Sequence, residues 1–142
     1  MKLSKLTLLC IALMAPLGAF QASADSPTAS PEGARAYIIS PAGGETVPQT
    51  FTVRFGLSGM GVAPAGTDKA GTGHHHLLID RAELPPAGMP MDGTVKHFGG
   101  GQTEVELTLE PGEHSLQLML GDMKHVPFEP PVMSEKITIQ VE

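Results

Sequence analysis

A period-two alternation of apolar and polar residues, interrupted again and again by glycine and proline, limits what this chain can fold into. In Thr50–Ser58, the apolar residues Phe51, Val53, Phe55 and Leu57 alternate with their neighbours, as in a half-buried strand. No segment keeps a helical period, and 17 glycines and 13 prolines supply turns. Strands are predicted at Ala36–Ser40, Thr50–Ser58, His74–Asp80, Thr103–Leu109, His114–Leu120 and Ser134–Val141. We therefore predict an all-β domain, an immunoglobulin-like β-sandwich of about seven strands.

The run His74–Asp80 differs from the other predicted strands in its burial pattern. Its centre, Leu77-Leu78-Ile79, is apolar on both faces, which is typical of a strand inside a sheet and not at its edge. The connection Arg81–Gln102 that follows is long for a compact domain, and such connections are often functional or locally structured.

The N-terminus has the features of a secretory signal. Lys2 and Lys5 precede the mostly apolar stretch Leu6–Phe20, and Ala22-Ser23-Ala24 fits the cleavage pattern of small residues. We predict cleavage after Ala24 and a periplasmic or secreted protein. The predicted organisation is a signal peptide at 1–24, a flexible leader at 25–35 and the β-sandwich domain at 36–142.

Cleavage would change the charge and the chemistry of the chain. The nine basic residues would fall to seven against 15 acidic ones, a formal net charge of −8, which disfavours nucleic acid and anionic lipid as partners. Cys10 is the single cysteine and would be removed, so no disulfide, thiolate site or cysteine nucleophile is expected. Cys10 also lacks a lipoprotein context, and we predict no membrane anchor after cleavage.

Six histidines are the residues best suited to carry chemistry, because imidazole is a common metal ligand. In a strand, His74 and His76 point to the same face, roughly 7 Å apart, and can converge on one ion. His97 and His125 lie in loops, and loops at one end of a sandwich cluster together. The sequence thus predicts a metal site of His74, His76, His97 and His125, provided that the strand order brings the loops together.

Other residues are candidate outer partners or alternative ligands of this site. His75 points to the opposite face, toward the edge of the core, and His114 opens a strand, where a structural role is ordinary. Asp122 offers an oxygen ligand or a hydrogen-bond partner for a ligating histidine. The full set is His75, His114, Asp122, Met89, Met91 and Met123.

The donor types favour copper and also permit zinc. Thioether sulfur prefers Cu(I), and imidazole accepts Cu(II) and Zn(II). A blue-copper centre is excluded for the mature chain because it requires a cysteine. The first hypothesis is therefore a metal ion as the bound partner, in a protein that holds or passes copper or zinc.

Two other functions remain open at this stage. The histidines could form a hydrogen-bonded network without metal, in a structural or interaction module that contacts another envelope protein. A metal-dependent enzyme would instead need three protein ligands and an open position. We do not predict an enzyme: Gly56-Leu57-Ser58-Gly59-Met60 departs from the nucleophile elbow at Met60, where glycine is required.

Several motifs in combination resemble an uncharacterised family of bacterial exported proteins, known only as a domain of unknown function. The motifs are Gly73–Asp80, His97–Glu104, Pro111–His114, Leu116–Leu118 and Leu120–Asp122. The resemblance implies an exported β domain and supplies no activity. Members of that family often carry a further histidine near the position of Phe128.

A second resemblance concerns the start of the predicted domain. Ser40–Val47 is similar to the first strands of immunoglobulin-like periplasmic copper-resistance carriers. The N-terminal histidine ligand of those carriers has no counterpart here, because the predicted mature chain begins at Asp25.

Overall fold

Two β-sheets packed face to face make up the part of the chain that the structure, a computed structural model, describes, which is residues 26–142. The smaller sheet has the order β1-β3-β7, and the larger has the order β2-β9-β8-β5-β4, with β6 also paired to β5. The strands are β1 Arg35–Ser40, β2 Thr46–Val47, β3 Thr50–Ser58, β4 Gly61–Val62, β5 Thr72–Ile79, β6 Lys96–His97, β7 Glu104–Thr108, β8 Gly112–Gly121 and β9 Ile137–Val141. The prediction of an all-β sandwich is confirmed.

The main core lies between the two sheets and follows from the alternation in the sequence. Val53 and Phe55 of β3 face Leu116 and Leu118 of β8, and all four are at most 4% exposed. Burial of apolar area at roughly 25 cal/mol per Å2 is the main force that holds such a sandwich together. The six longer strands are those predicted from the sequence, while β2, β4 and β6 have two residues each.

Strand β5 is buried on both faces, as its sequence predicted. Leu77 packs in the main core, and Leu78 packs on the outer face of the larger sheet in a second apolar cluster. Met91 and Val95 of the long connection after β5 complete this cluster, together with Met119 of β8. The connection therefore covers the outer face of the sheet.

The last strand begins three residues later than predicted because of Ser134. Its hydroxyl accepts a hydrogen bond from the Leu118 backbone N–H at 2.9 Å, and it takes the place of a backbone acceptor there. Its own N–H donates to the Leu118 carbonyl at 3.0 Å. The segment thus stays attached to β8, but regular pairing starts only at Ile137.

Part of the segment predicted as a leader is attached to the domain. The Ser30 N–H donates to the Glu129 carbonyl at 3.1 Å, and the Glu129 N–H donates to the Thr28 carbonyl at 2.9 Å. The predicted signal peptide, Cys10 and the proposed cleavage site at Ala24 lie outside the described residues. Residues 26–142 contain no long apolar helix of the kind that crosses a bilayer.

Candidate metal centre

His74 and His76 share the outer face of β5 and form the rigid half of the centre. In the antiparallel pairing with β8, His74 lies opposite Gly121 and His76 opposite Met119. The two side chains are 0% and 1% exposed. Their imidazole centroids are 4.8 Å apart, closer than the roughly 7 Å repeat of the strand, so the rings lean toward each other.

His97 reaches the same face from the neighbouring strand. It lies in β6, which pairs with β5 so that His97 is opposite His76. The first glycine of the run after it has a steric reason, because a Cβ at Gly99 would lie 2.3 Å from the His97 Cε1 atom. The imidazole of His97 therefore occupies space that a side chain at Gly99 would fill.

His125 comes from the loop after β8, and Asp122 shapes that loop. One carboxylate oxygen of Asp122 accepts hydrogen bonds from the backbone N–H groups of Lys124 and Val126 at 2.9 and 3.0 Å. The other accepts from the Thr28 hydroxyl at 2.7 Å. The Asp122 carboxylate thus holds the turn in which His125 adopts a left-handed φ of 68°.

Together the four imidazoles form a compact cluster that could hold a metal ion. Every pair of ring centroids is separated by 4.6 to 5.9 Å, so the rings sit near the corners of a tetrahedron. One nitrogen from each ring lies within 4.8 Å of the others. Four nitrogens at about 2.0–2.1 Å from a zinc ion in a tetrahedron are roughly 3.4 Å apart. Small side-chain movements would bring the set to ligating distance.

The buried nitrogens of the strand pair are poorly satisfied. His74 Nε2 and His125 Nδ1 share a hydrogen bond of 3.0 Å. Within residues 26–142, no hydrogen-bond partner reaches Nδ1 of His74 or either ring nitrogen of His76. Leaving a buried polar atom unpaired costs about 1–3 kcal/mol. Both ring nitrogens of His75 in the main core are unpaired as well, so it is the convergence of four imidazoles around the unpaired atoms that suits a metal ion.

The environment lowers the pKa of three of the clustered imidazoles, those of His74, His76 and His97. Burial, with added repulsion from His125 and His97, lowers the pKa of His74 to about 4, although the Asp122 carboxylate opposes this shift. Burial and the neighbouring histidines lower the pKa of His76 to about 3. The pKa of His97 is also lowered, by burial first and by His125 second. Neutral imidazole is the form that binds metal.

The other two histidines lie elsewhere. His75 points into the main core, where its ring lies 5.3 Å from that of Phe55, and burial lowers its pKa. His114 is hydrogen-bonded to the Asp80 carboxylate at 2.7 Å and to the Glu110 carbonyl at 2.9 Å. Those two bonds raise the pKa of His114. Neither residue joins the four-histidine cluster.

The three methionines predicted as alternative ligands are placed differently from one another. Met91 is 8% exposed and lines a small cavity with His76, His97 and His125. Met89 is 41% exposed in the same connection. Met123 lies in the turn before His125, and its carbonyl accepts a hydrogen bond from the Gly66 N–H at 3.0 Å. Of the three, Met91 is the one beside the imidazoles.

Comparison with protein families gives one match: a model described as a domain of unknown function, DUF4399, matches residues 53–142. The chain belongs to the DUF4399 family. The expected resemblance to a domain of unknown function is therefore confirmed. No curated protein and no solved structure matches the chain. The DUF4399 region includes all four clustered histidines and leaves out β1.

Gly121 is a feature of this DUF4399 domain that the sequence did not single out. A Cβ at this position would lie 2.7 Å from His76 Cε1 and 2.9 Å from Met91 Cε. The glycine opposite His74 thus provides the space in which the His76 imidazole sits. The predicted strand ended at Leu120, so the sequence did not indicate a glycine within a strand; in the structure β8 extends through Gly121.

The lowered pKa values predict that the metal-free DUF4399 protein loses stability in acid. Between about pH 6 and 4, the unfolded chain binds protons at His74 and His76 that the folded chain does not. The contribution of these two histidines to the free energy of unfolding is therefore greatest above pH 6.5 and falls as the pH decreases through this window. Urea unfolding at a series of pH values measures this slope.

Two variants test whether the histidine cluster causes the slope of the free energy of unfolding against pH. His76→Gln should reduce it by up to about 1.4 kcal/mol per pH unit, the equivalent of one proton. His114→Gln should leave it unchanged, because a group with a raised pKa is protonated in both states below pH 6. Equal slopes in wild type and His76→Gln would contradict the assignment.

Gly121→Ala is expected to destabilise the protein by about 1–3 kcal/mol, the usual range for overpacking. The added methyl group would displace the His76 imidazole and the Met91 side chain. Gly93→Ala is the matched control, because Gly93 lines the same cavity and a Cβ there would meet nothing within 4 Å. We expect that control to stay within about 0.5 kcal/mol of wild type in urea unfolding. If both variants changed the free energy of unfolding by similar amounts, close packing of His76 and Met91 against Gly121 would be excluded.

Proposed function

We propose that this protein binds a metal ion outside the cytoplasm, with copper favoured and zinc as the alternative, through His74, His76, His97 and His125. The observation that carries the proposal is the set of buried, unpaired imidazole nitrogens on His74 and His76 inside a four-histidine cluster. A metal ion would accept their lone pairs and remove the cost of leaving them unpaired.

The number of donors favours holding a metal over catalysis. Four protein ligands fill a tetrahedral site, whereas catalytic zinc sites use three and keep one position for water or substrate. His97 is exposed while His74 and His76 are buried, so an ion would reach the site, or leave it, on the His97 side. This arrangement suits a protein that stores or delivers a metal ion.

The charge around the site is compatible with a divalent or monovalent cation. Imidazole ligands bring no negative charge of their own. The Asp122 carboxylate, 8% exposed, acts on His74 electrostatically and opposes the lowering of its pKa. It would stabilise a cation at the centre without binding it, as outer partners of metal sites commonly do.

A metal-free network of hydrogen bonds explains the cluster less well. Such a network needs each buried nitrogen to donate or accept, and a half-satisfied buried network is worse than an apolar one. In residues 26–142, the cluster has one imidazole–imidazole hydrogen bond, between His74 and His125. The remaining buried nitrogens of His76 and Nδ1 of His74 have no partner there.

Metal titration tests the proposal directly. The chain is expressed without an affinity tag, and Cu(I), Cu(II) and Zn(II) are titrated against competing chelators. We expect stoichiometric binding of at least one ion, and a loss of at least about tenfold in affinity for His74→Ala combined with His76→Ala. His114→Ala removes a histidine outside the cluster and should bind like wild type. Binding that survives the double substitution would rule out this site.

Export is tested separately from binding. We expect the protein recovered from the envelope of a bacterial host to begin at Asp25, because cleavage is predicted after Ala24. Mass spectrometry of the intact protein and of its N-terminal peptide measures this. An intact Met1 in protein recovered from the cytoplasm would reject the proposed location while leaving the metal site in place.

A further inference from the structure

The cavity beside the candidate metal centre has a mixed lining. It has a volume of about 180 Å3 and is lined by His76, Met91, Asp92, Gly93, His97 and His125. Three imidazoles and one thioether therefore face the same space. His74, the fourth histidine of the cluster, is fully buried and does not line this cavity.

Met91 is fixed in this position by backbone and side-chain contacts. Its backbone N–H donates to the His125 carbonyl at 2.9 Å, which ties the connection after β5 to the loop of His125. Its terminal methyl group and His76 Cε1 both lie within 3 Å of the point where a Cβ at Gly121 would be. The thioether end of Met91 is thus next to the His76 imidazole.

The ordinary explanation for Met91 is packing, because it also belongs to the apolar cluster of Leu78, Val95 and Met119. Packing alone does not distinguish methionine from leucine, and exchanges between the two usually cost less than about 1.5 kcal/mol. What methionine adds at this position is a soft sulfur donor in a side chain that lines the same cavity as three imidazoles. Thioether ligands select Cu(I), whereas Zn(II) is well served by imidazole alone.

We propose that the centre has two overlapping donor sets, and that Met91 supplies the thioether of the one that holds Cu(I). The first set is the four imidazoles, which suits Zn(II) or Cu(II). The second is Met91 with His76, His97 and His125, the three histidines that share its cavity. This inference rests on the proposed metal-binding function and adds which residue selects the monovalent ion.

Two single substitutions distinguish the four-imidazole set from the set that contains Met91. Met91→Leu should lower the affinity for Cu(I) by at least about tenfold and change that for Zn(II) by less than about threefold. His74→Ala should lower the affinity for Zn(II) by at least about tenfold and change that for Cu(I) by less than about threefold, because His74 belongs to the four-imidazole set alone. Both are measured with the full chain by competition against chelators, with urea unfolding to confirm that each variant folds.

Two further methionine variants serve as controls. Met89→Leu changes an exposed methionine of the same connection, and Met133→Leu changes one that packs against the same apolar cluster. Both should bind Cu(I) like wild type. X-ray absorption of the Cu(I)-loaded wild type should show a sulfur neighbour, and the Met91→Leu sample should show nitrogen neighbours alone.

The outcomes distinguish this inference from the function on which it rests. A wild type that binds Cu(I) without a sulfur neighbour overturns the role of Met91 and leaves the four-histidine site standing. Equal loss of Cu(I) and Zn(II) in Met91→Leu also overturns it, since a packing defect would weaken both ions. A wild type that binds neither ion overturns the proposed function, and the role of Met91 with it.

Discussion

The pleat of β5 separates two environments, and both the core and the candidate site depend on it. Alternate residues of a strand point to opposite faces, so His75 and Leu77 enter the space between the sheets while His74, His76 and Leu78 face outward. Pairing with β8 along most of its length fixes that register. A shift by one residue would bring the paired histidines into the main core and remove the site. The hydrophobic burial that stabilises the sandwich therefore also sets the orientation of the paired histidines.

The segments that carry His97 and His125 complete the cluster of imidazoles that begins on β5. Single neighbouring residues make their positions possible. Gly99 and Gly121 leave room for the imidazoles of His97 and His76. Asp122 satisfies the backbone of the turn that presents His125. Bringing four imidazoles together in a partly buried position opposes folding, and the apolar cluster around Leu78 and Met119 compensates for it on the same face. The outer face of the larger sheet therefore contains both the candidate site and the apolar cluster that stabilises it.

Much of the fold followed from local patterns, because period-two alternation directly reports a half-buried strand. The six long strands and the shared face of His74 and His76 were predictable in this way. The meeting of His97 and His125 was not, since it depends on β6 and β8 flanking β5, a long-range pairing. Two further contacts could not be predicted either, the hydrogen bond of Thr28 with Asp122 and the side-chain hydrogen bond of Ser134. Each depends on one specific partner and not on a repeating backbone pattern.

The hydrogen bond between Thr28 and Asp122 joins residues that are 94 positions apart in the chain. It links the first described residues to the loop that carries His125. The Asp122 carboxylate therefore has its full set of partners only when the N-terminal segment is docked beside that loop. A chain that lacks Thr28 would lose this side-chain bond and keep the two backbone bonds to Asp122 that hold the turn of His125. The order of the turn that presents His125 thus depends in part on a segment from the opposite end of the domain's sequence.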